Sequence, residues 1–171
     1  LTQDNTIERT EESCPVNSFL SNIENWISNN KLNLKRVKHE ECEEILNMTI
    51  EELEESVPTD LLNKAYVLYG YADYLSDAYN NQKMVNEYAE QSISYIIAPV
   101  VNNYGDQYTK WEIKYNSAIR ENPLAKKLNQ LRGHSNARLT MLQDKSEHVR
   151  RMADLIVEIS RRKKNEYYSN S

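Results

Sequence analysis

Apolar residues recur along this chain at the three-and-four spacing of a helix. Phe19, Ile23, Trp26 and Ile27 fall at i, i+4, i+7 and i+8, so they share one face of a short helix over about 17–29, stopped by Asn29 and Asn30. Lys31 to Lys38 reads as a connector. A second short helix covers 39–47 (HEECEEILN), with acids crowded into its first turns, where the helix dipole is positive. Thr49 followed three positions later by Glu52 is a capping box that opens a third short helix, about 50–56. Pro58 ends it, because the residue before a proline is pushed out of the α region.

Thr59 or Asp60 then caps the first long helix, running to about 97. Positions 61, 65, 68, 72, 75, 79, 82, 86, 89, 93 and 96 follow the four-three alternation of a coiled-coil seam and are apolar or aromatic except at Gln82 and Asn86. At ~1.5 Å per residue this helix is nearly 60 Å long. Pro99 breaks it, and PVVNNYGDQYT is the reversal point. Thr109 with Glu112 is a second capping box, opening a helix over about 110–121 with Trp111, Tyr115, Ala118 and Ile119 on its apolar face. Asn122-Pro123 pairs a capping side chain with a proline at the first helical position. It starts the last long helix, which runs to about 164. Its seam is 124, 128, 131, 135, 139, 142, 146, 149, 153, 156 and 160. Two successive steps of four around Ser135 make a stutter, and Gly133 weakens the same place by about 1 kcal/mol relative to Ala.

The expected fold is therefore all-α: an elongated antiparallel pair of long helices (about 60–97 and 123–164) with short N-terminal helices, a short connecting helix and coiled-coil-like packing. By segment this means a disordered acidic arm (1–15), short helices (16–58), a long helical hairpin module (59–165) and a frayed tail (166–171).

Composition agrees. Three Gly and four Pro are too few for the many turns of a sheet protein. One Phe and 39% apolar residues make a thin core, bulked by twelve Tyr and two Trp. Two helices alone leave their stripes half exposed, which predicts a homo-oligomer. No stretch approaches the roughly 20 apolar residues of a membrane span, and no secretory signal opens the chain, so the expectation is a cytoplasmic protein with no membrane partner.

The net charge of −5 conceals a segregation. Residues 1–60 carry 14 acids and 5 bases, whereas residues 120–171 carry 6 acids and 12 bases. Lys126, Lys127, Arg132, Arg138, Lys145, Arg150, Arg151, Arg161, Arg162, Lys163 and Lys164 recur along the last helix, mostly off its seam. A row of cations on a rigid helix can track a phosphate backbone with salt-sensitive affinity. Tyr167 and Tyr168 beside it offer stacking surfaces for single-stranded bases. Equally, exposed helix faces commonly carry Lys and Arg, and cations favour helix C-termini. Substituting Arg150, Arg151, Arg161 and Arg162 is the direct sequence-level test of DNA binding. The acidic N-terminal region is expected either to shield this basic helix or to recruit a basic partner. Tyr66, Tyr69, Tyr71, Tyr74 and Tyr79 read as core and subunit contacts.

Catalytic signatures do not appear. Three glycines build no phosphate loop, and no G-x-S-x-G, HExxH or EF-hand pattern occurs. His39, His134 and His148 are isolated, Cys14 and Cys42 lack CxxC spacing, and the acids form runs rather than opposed pairs. The expectation is a non-enzyme without metal or cofactor, its cysteines reduced.

Residues 49–164 resemble the small phage recombination mediators of the UvsY type. The likeness is carried by the entry MTIEELEESVPTDLLNKAYVLYGYADYL, by the Tyr-rich first long helix, by KWEIKYNSAIRENP before the second, and by the ending RLTMLQDKSEHVRRMADLIVEISRRKK. It is one of layout and texture, and leaves 1–48 uncovered. The resemblance implies a ring-like homo-oligomer in the host cytoplasm that binds single-stranded DNA. It would help load a RecA-like recombinase onto strands covered by single-strand DNA-binding protein, and would catalyse no reaction. That family places DNA-binding basic residues near the end of the first long helix. Here the corresponding EQSISYIIAPVVNNYG has no Lys or Arg, which moves the expected site to the basic last helix. The competing expectation is a helical scaffold acting only through protein–protein contacts.

Overall fold

The computed structural model describes residues 15–30 and 37–169. The arm before Pro15, with Cys14, most of the connector and the last two residues lie outside the described residues, as do the side chains of Tyr167 and Tyr168. The chain divides into two units, residues 1–33 and 34–171.

The described part of the first unit is α1 (Pro15–Asn29). Its end is held by Asn30, whose backbone N–H and side-chain amide both donate to the Trp26 carbonyl at 3.1 and 2.8 Å. The Trp26 side chain is exposed.

In the second unit every regular element among the described residues is helical: α2 (His39–Leu46), α3 (Ile50–Glu55), α4 (Pro58–Ile97), a single 3-10 turn (Val101–Asn103), α5 (Trp111–Glu121), α6 (Pro123–Leu142) and α7 (Lys145–Ser169). α6 and α7 both pack against α4, so the antiparallel long-helix arrangement is present. The capping box forms as expected: Thr49 N–H donates to Glu52 Oε2 at 2.8 Å, and Glu52 N–H to Thr49 Oγ1 at 3.2 Å. So does the Asn122 cap, whose Oδ1 accepts from Leu124 and Ala125 N–H at 3.0 Å each.

Two expected caps are not used. α4 begins at Pro58, with Val57 as its cap. Proline stops α3 and also starts α4, because its missing N–H costs nothing at a first helical position. Asp60, freed from capping, pairs with Lys64 one turn on. Thr109 likewise does not cap α5; Lys110 occupies that position without a side-chain hydrogen bond, and Thr109 turns back to Asp106.

The core seam of α4 is Leu61, Ala65, Leu68, Ala72, Leu75, Val85, Ala89, Ile93 and Ile97. Val85 and Ile97 replace the expected 86 and 96. A strict heptad drifts ~20° per repeat on a straight helix, so over the five heptads from Leu61 the buried face moves forward by about one residue, which accounts for Ile97; the shift to Val85 runs the other way and has no such cause. In the first turn of α6 the buried residue is Ala125, and Leu124 is exposed.

The last long helix is not continuous. It breaks at Gln143 and Asp144, and Asp144 adopts φ +60°. Aspartate tolerates this left-handed conformation better than most residues. The Asp144 carbonyl then accepts the first α7 hydrogen bond, from His148 N–H at 2.9 Å. The break lies well beyond the stutter and Gly133, both of which sit inside intact α6. At its far end α7 runs past Lys164 to Ser169, so the expected frayed tail is helical over 166–169.

α7 packs close to α4. Leu61, Leu68 and Ile156 are fully buried, each worth about 1.5–3 kcal/mol. Small residues (Ala65, Ala72, Ala153) are fully or almost fully buried between them. That closeness lets the seam serines reach the α4 backbone: Ser146 Oγ donates to the Ala72 carbonyl at 2.8 Å, and Ser160 Oγ to the Pro58 carbonyl at 2.9 Å. α2 packs on α4 through His39, whose ring meets Tyr71 and Tyr74 edge-on at 5.8 and 5.0 Å. Cys42 is fully buried beneath it, and burial pushes its thiol pKa up, so the thiol is an inert packing group.

Candidate nucleic-acid interface

The eleven cations singled out on the last helix divide into two groups. Lys126, Lys127 and Arg138 on α6, Lys145 at the start of α7 and Lys164 near its end are exposed, their side chains without an ion pair or hydrogen bond to any described residue. Lys127 and Arg138 stand on one face of α6 with exposed His134 between them, spanning ~16 Å at ~1.5 Å per residue.

The rest are engaged by the protein itself. Arg132 is half-buried and donates to Asn129 Oδ1 at 2.8 Å. Arg150 pairs with Asp73 of α4 at 2.6 Å, Arg151 with Glu147, and Arg161 lies 3.7 Å from Glu158. Arg162 pairs with Glu54 of α3 at 2.6 Å and lies 3.9 Å from Glu166. The hydrogen bond to Glu54 and the negative charge of that carboxylate raise the Arg162 pKa above its ordinary value. Lys163 donates to the backbone carbonyls of Glu54 and Ser56, the latter at 2.6 Å. These are orphan carbonyls at the C-terminal end of α3, for which an ammonium group is a suitable partner. Through Glu54 and Ser56 the end of α3 meets Arg162 and Lys163 of α7.

The consequence is electrostatic. Exposed ion pairs are worth only about 0–1 kcal/mol and can exchange. Yet a phosphate approaching Arg150, Arg151, Arg161 or Arg162 meets a carboxylate already in place, whereas one approaching Lys127 or Arg138 does not. Sequence spacing shows only the local part of this division, Glu147 and Glu158 lying four and three positions from Arg151 and Arg161. The carboxylates of Asp73 and Glu54 lie 77 and 108 positions from their partners.

A different signal concerns the α4 flank. Leu62, Tyr66 and Tyr69 fall at i, i+4 and i+7 and are exposed by 48, 64 and 37%. Tyr69 Oη donates to Asp154 of α7 at 2.5 Å, and that bond raises the phenol pKa. Tyr71 and Tyr74 instead meet His39 of α2, although Tyr74 is itself exposed by 42%.

Among the described residues no cluster of His, Cys, Asp or Glu could hold a metal ion. His134 and His148 are exposed and isolated. No described helix is long and apolar enough to cross a membrane. The chain matches no protein-family model, no curated protein and no solved structure.

Proposed function

We propose that this protein is a non-enzymatic accessory protein that binds single-stranded DNA and, as a homo-oligomer, helps load a RecA-like recombinase onto strands covered by single-strand DNA-binding protein. The observation that carries the DNA-binding part is the set of cations without an ion pair to any described residue, Lys127 and Arg138 on one face of α6, with Lys126 beside them and Lys145 at the start of α7, which are available to a phosphate backbone. The mediator role rests on the resemblance of residues 49–164 to the UvsY type. The oligomer is supported by the exposed Leu62–Tyr66–Tyr69 flank. It is bordered by the Asp73–Arg150 pair and by Asp154, a mixed-charge surround that suits a second copy better than a nucleic acid.

The test compares two sets of substitutions by fluorescence anisotropy with a labelled oligonucleotide across a salt series. Replacing Lys126, Lys127, Arg138 and Lys145 by Ala lowers affinity. It also flattens the dependence of log K on log salt by about 0.7 for each phosphate that is no longer neutralised. Replacing Arg150, Arg151, Arg161 and Arg162 has the smaller effect on that slope. Absence of binding at low salt by the intact oligomer refutes the proposal and leaves the scaffold reading, whose surface would be the same flank.

A further inference from the structure

The turn between α4 and α5 holds large aromatic side chains out in water. Tyr108 is exposed by 85% and Trp111, the first residue of α5, by 56%. Single exposed apolar residues are ordinary. What distinguishes these two is the rigidity of the backbone that presents them.

That rigidity is built from three residues. Gly105 adopts φ +106°, a conformation L side chains rarely adopt, and a Cβ there would lie 2.5 Å from Thr109 Oγ1. Asp106 points its carboxylate inward, accepting from Tyr108 N–H at 3.0 Å and from Thr109 Oγ1 at 2.9 Å. Thr109 Oγ1 in turn accepts from Asp106 N–H at 3.1 Å. The bonds that the carboxylate accepts also keep the Asp106 carboxyl below the usual carboxylate range, with a smaller contribution from the Lys114 charge. Trp111 is fixed separately: its ring meets Tyr115 edge-on at 5.1 Å.

Lys110 stands between the two aromatics and is exposed; Lys114 follows one turn later. Asp106 and Glu112 are both exposed carboxylates, and Asp106 stays ionised and draws on Lys114, so the cations here are balanced by acids and the two aromatics carry the site. An aromatic ring on a hydrogen-bonded turn (Tyr108) and one braced by a second ring (Trp111) suit unpaired bases: stacking is sequence-tolerant, and ordering of the backbone beforehand lowers its entropic cost.

We infer that Tyr108 and Trp111, with Lys110 and Lys114, form a stacking site for bases of single-stranded nucleic acid, separate from the cation row of α6. This inference rests on the proposed function and adds base contact to its phosphate contact. It requires unpaired bases, which the cation row does not.

The experiment uses the full chain carrying Trp26→Phe, so that Trp111 is the only tryptophan. Oligothymidylate is titrated at low salt while anisotropy of the labelled strand and Trp111 emission are read together. Binding should quench Trp111 emission, and an abasic strand of equal length should bind without quenching. Tyr108→Ala, at a side chain exposed enough to leave the fold intact, should weaken oligothymidylate binding at least fivefold. Binding with unchanged emission and an unaffected Tyr108→Ala variant overturns the stacking site while the α6 interface stands. Equal quenching by the abasic strand also overturns it. Failure to bind either strand overturns the proposed function together with this inference.

Discussion

The middle of α4 contains two polar side chains in its seam, and their replacement should stabilise the protein. Gln82 Oε1 and Asn86 Oδ1 are both buried and accept no hydrogen bond from any described residue. The antiparallel register set by Ser146 on Ala72 and Ser160 on Pro58 places them opposite the part of α6 around buried Ser135. An acceptor stripped of water and left unpaired costs about 1–3 kcal/mol. Gln82→Met and Asn86→Leu keep side-chain size near the original and remove that cost, so each should gain about 1–3 kcal/mol. The two lie one turn apart, so their gains should not add fully. For a chain of this size each kcal/mol shifts Tm by about 2–4 °C, giving a rise of roughly 2–12 °C per substitution. Urea unfolding followed by helical circular dichroism at constant protein concentration measures it, with the midpoint rising at unchanged slope. A lowered midpoint for either variant would refute the reasoning, since it would mean the oxygen is satisfied and the polar layer holds the register of α4 on α6.

Further outcomes follow from local geometry. Gly70 and Gly133 are exposed inside helices, and a methyl group added at either would meet nothing within 4 Å. Gly→Ala at either should therefore raise stability by about 0.5–1 kcal/mol in the same unfolding assay. At Asp144, held at φ +60°, replacement by Val should cost about 1–2 kcal/mol, whereas Gly should be close to neutral; equal losses would mean that the aspartate side chain, not its backbone, makes the break. The Asp106 carboxyl is depressed in the folded turn, so its contribution is complete above its ordinary pKa of 3.8 and is lost as pH falls through the lower folded value. Hydrogen exchange at the Tyr108 amide should therefore lose protection in acid, and Asp106→Asn should remove that pH dependence.

Periodicity and caps in the sequence determined that α4 and α6–α7 are long helices, that α3 opens at Thr49, that α6 opens at Pro123, and that Ser146, Val149, Ala153, Ile156 and Ser160 face the core. These are local matters: an apolar repeat selects one face of a helix, and a capping side chain acts on N–H groups two or three residues away. The break at Asp144 was invisible because the apolar pattern stays in phase across it, so nothing in the spacing distinguishes a bent helix from a straight one. The shift from Ile96 to Ile97 needed the actual helical period, whose mismatch with the heptad accumulates over five repeats. The division of the basic helix depended on folding most of all. Beyond the local pairings of Arg151 and Arg161 with Glu147 and Glu158, the cations look alike along the chain. Only tertiary contact brings Asp73 to Arg150 and Glu54 to Arg162, leaving Lys126, Lys127, Arg138 and Lys145 without a carboxylate among the described residues. Charge compensation acts through space over a few ångströms, so positions far apart in sequence decide which cations remain available to a phosphate.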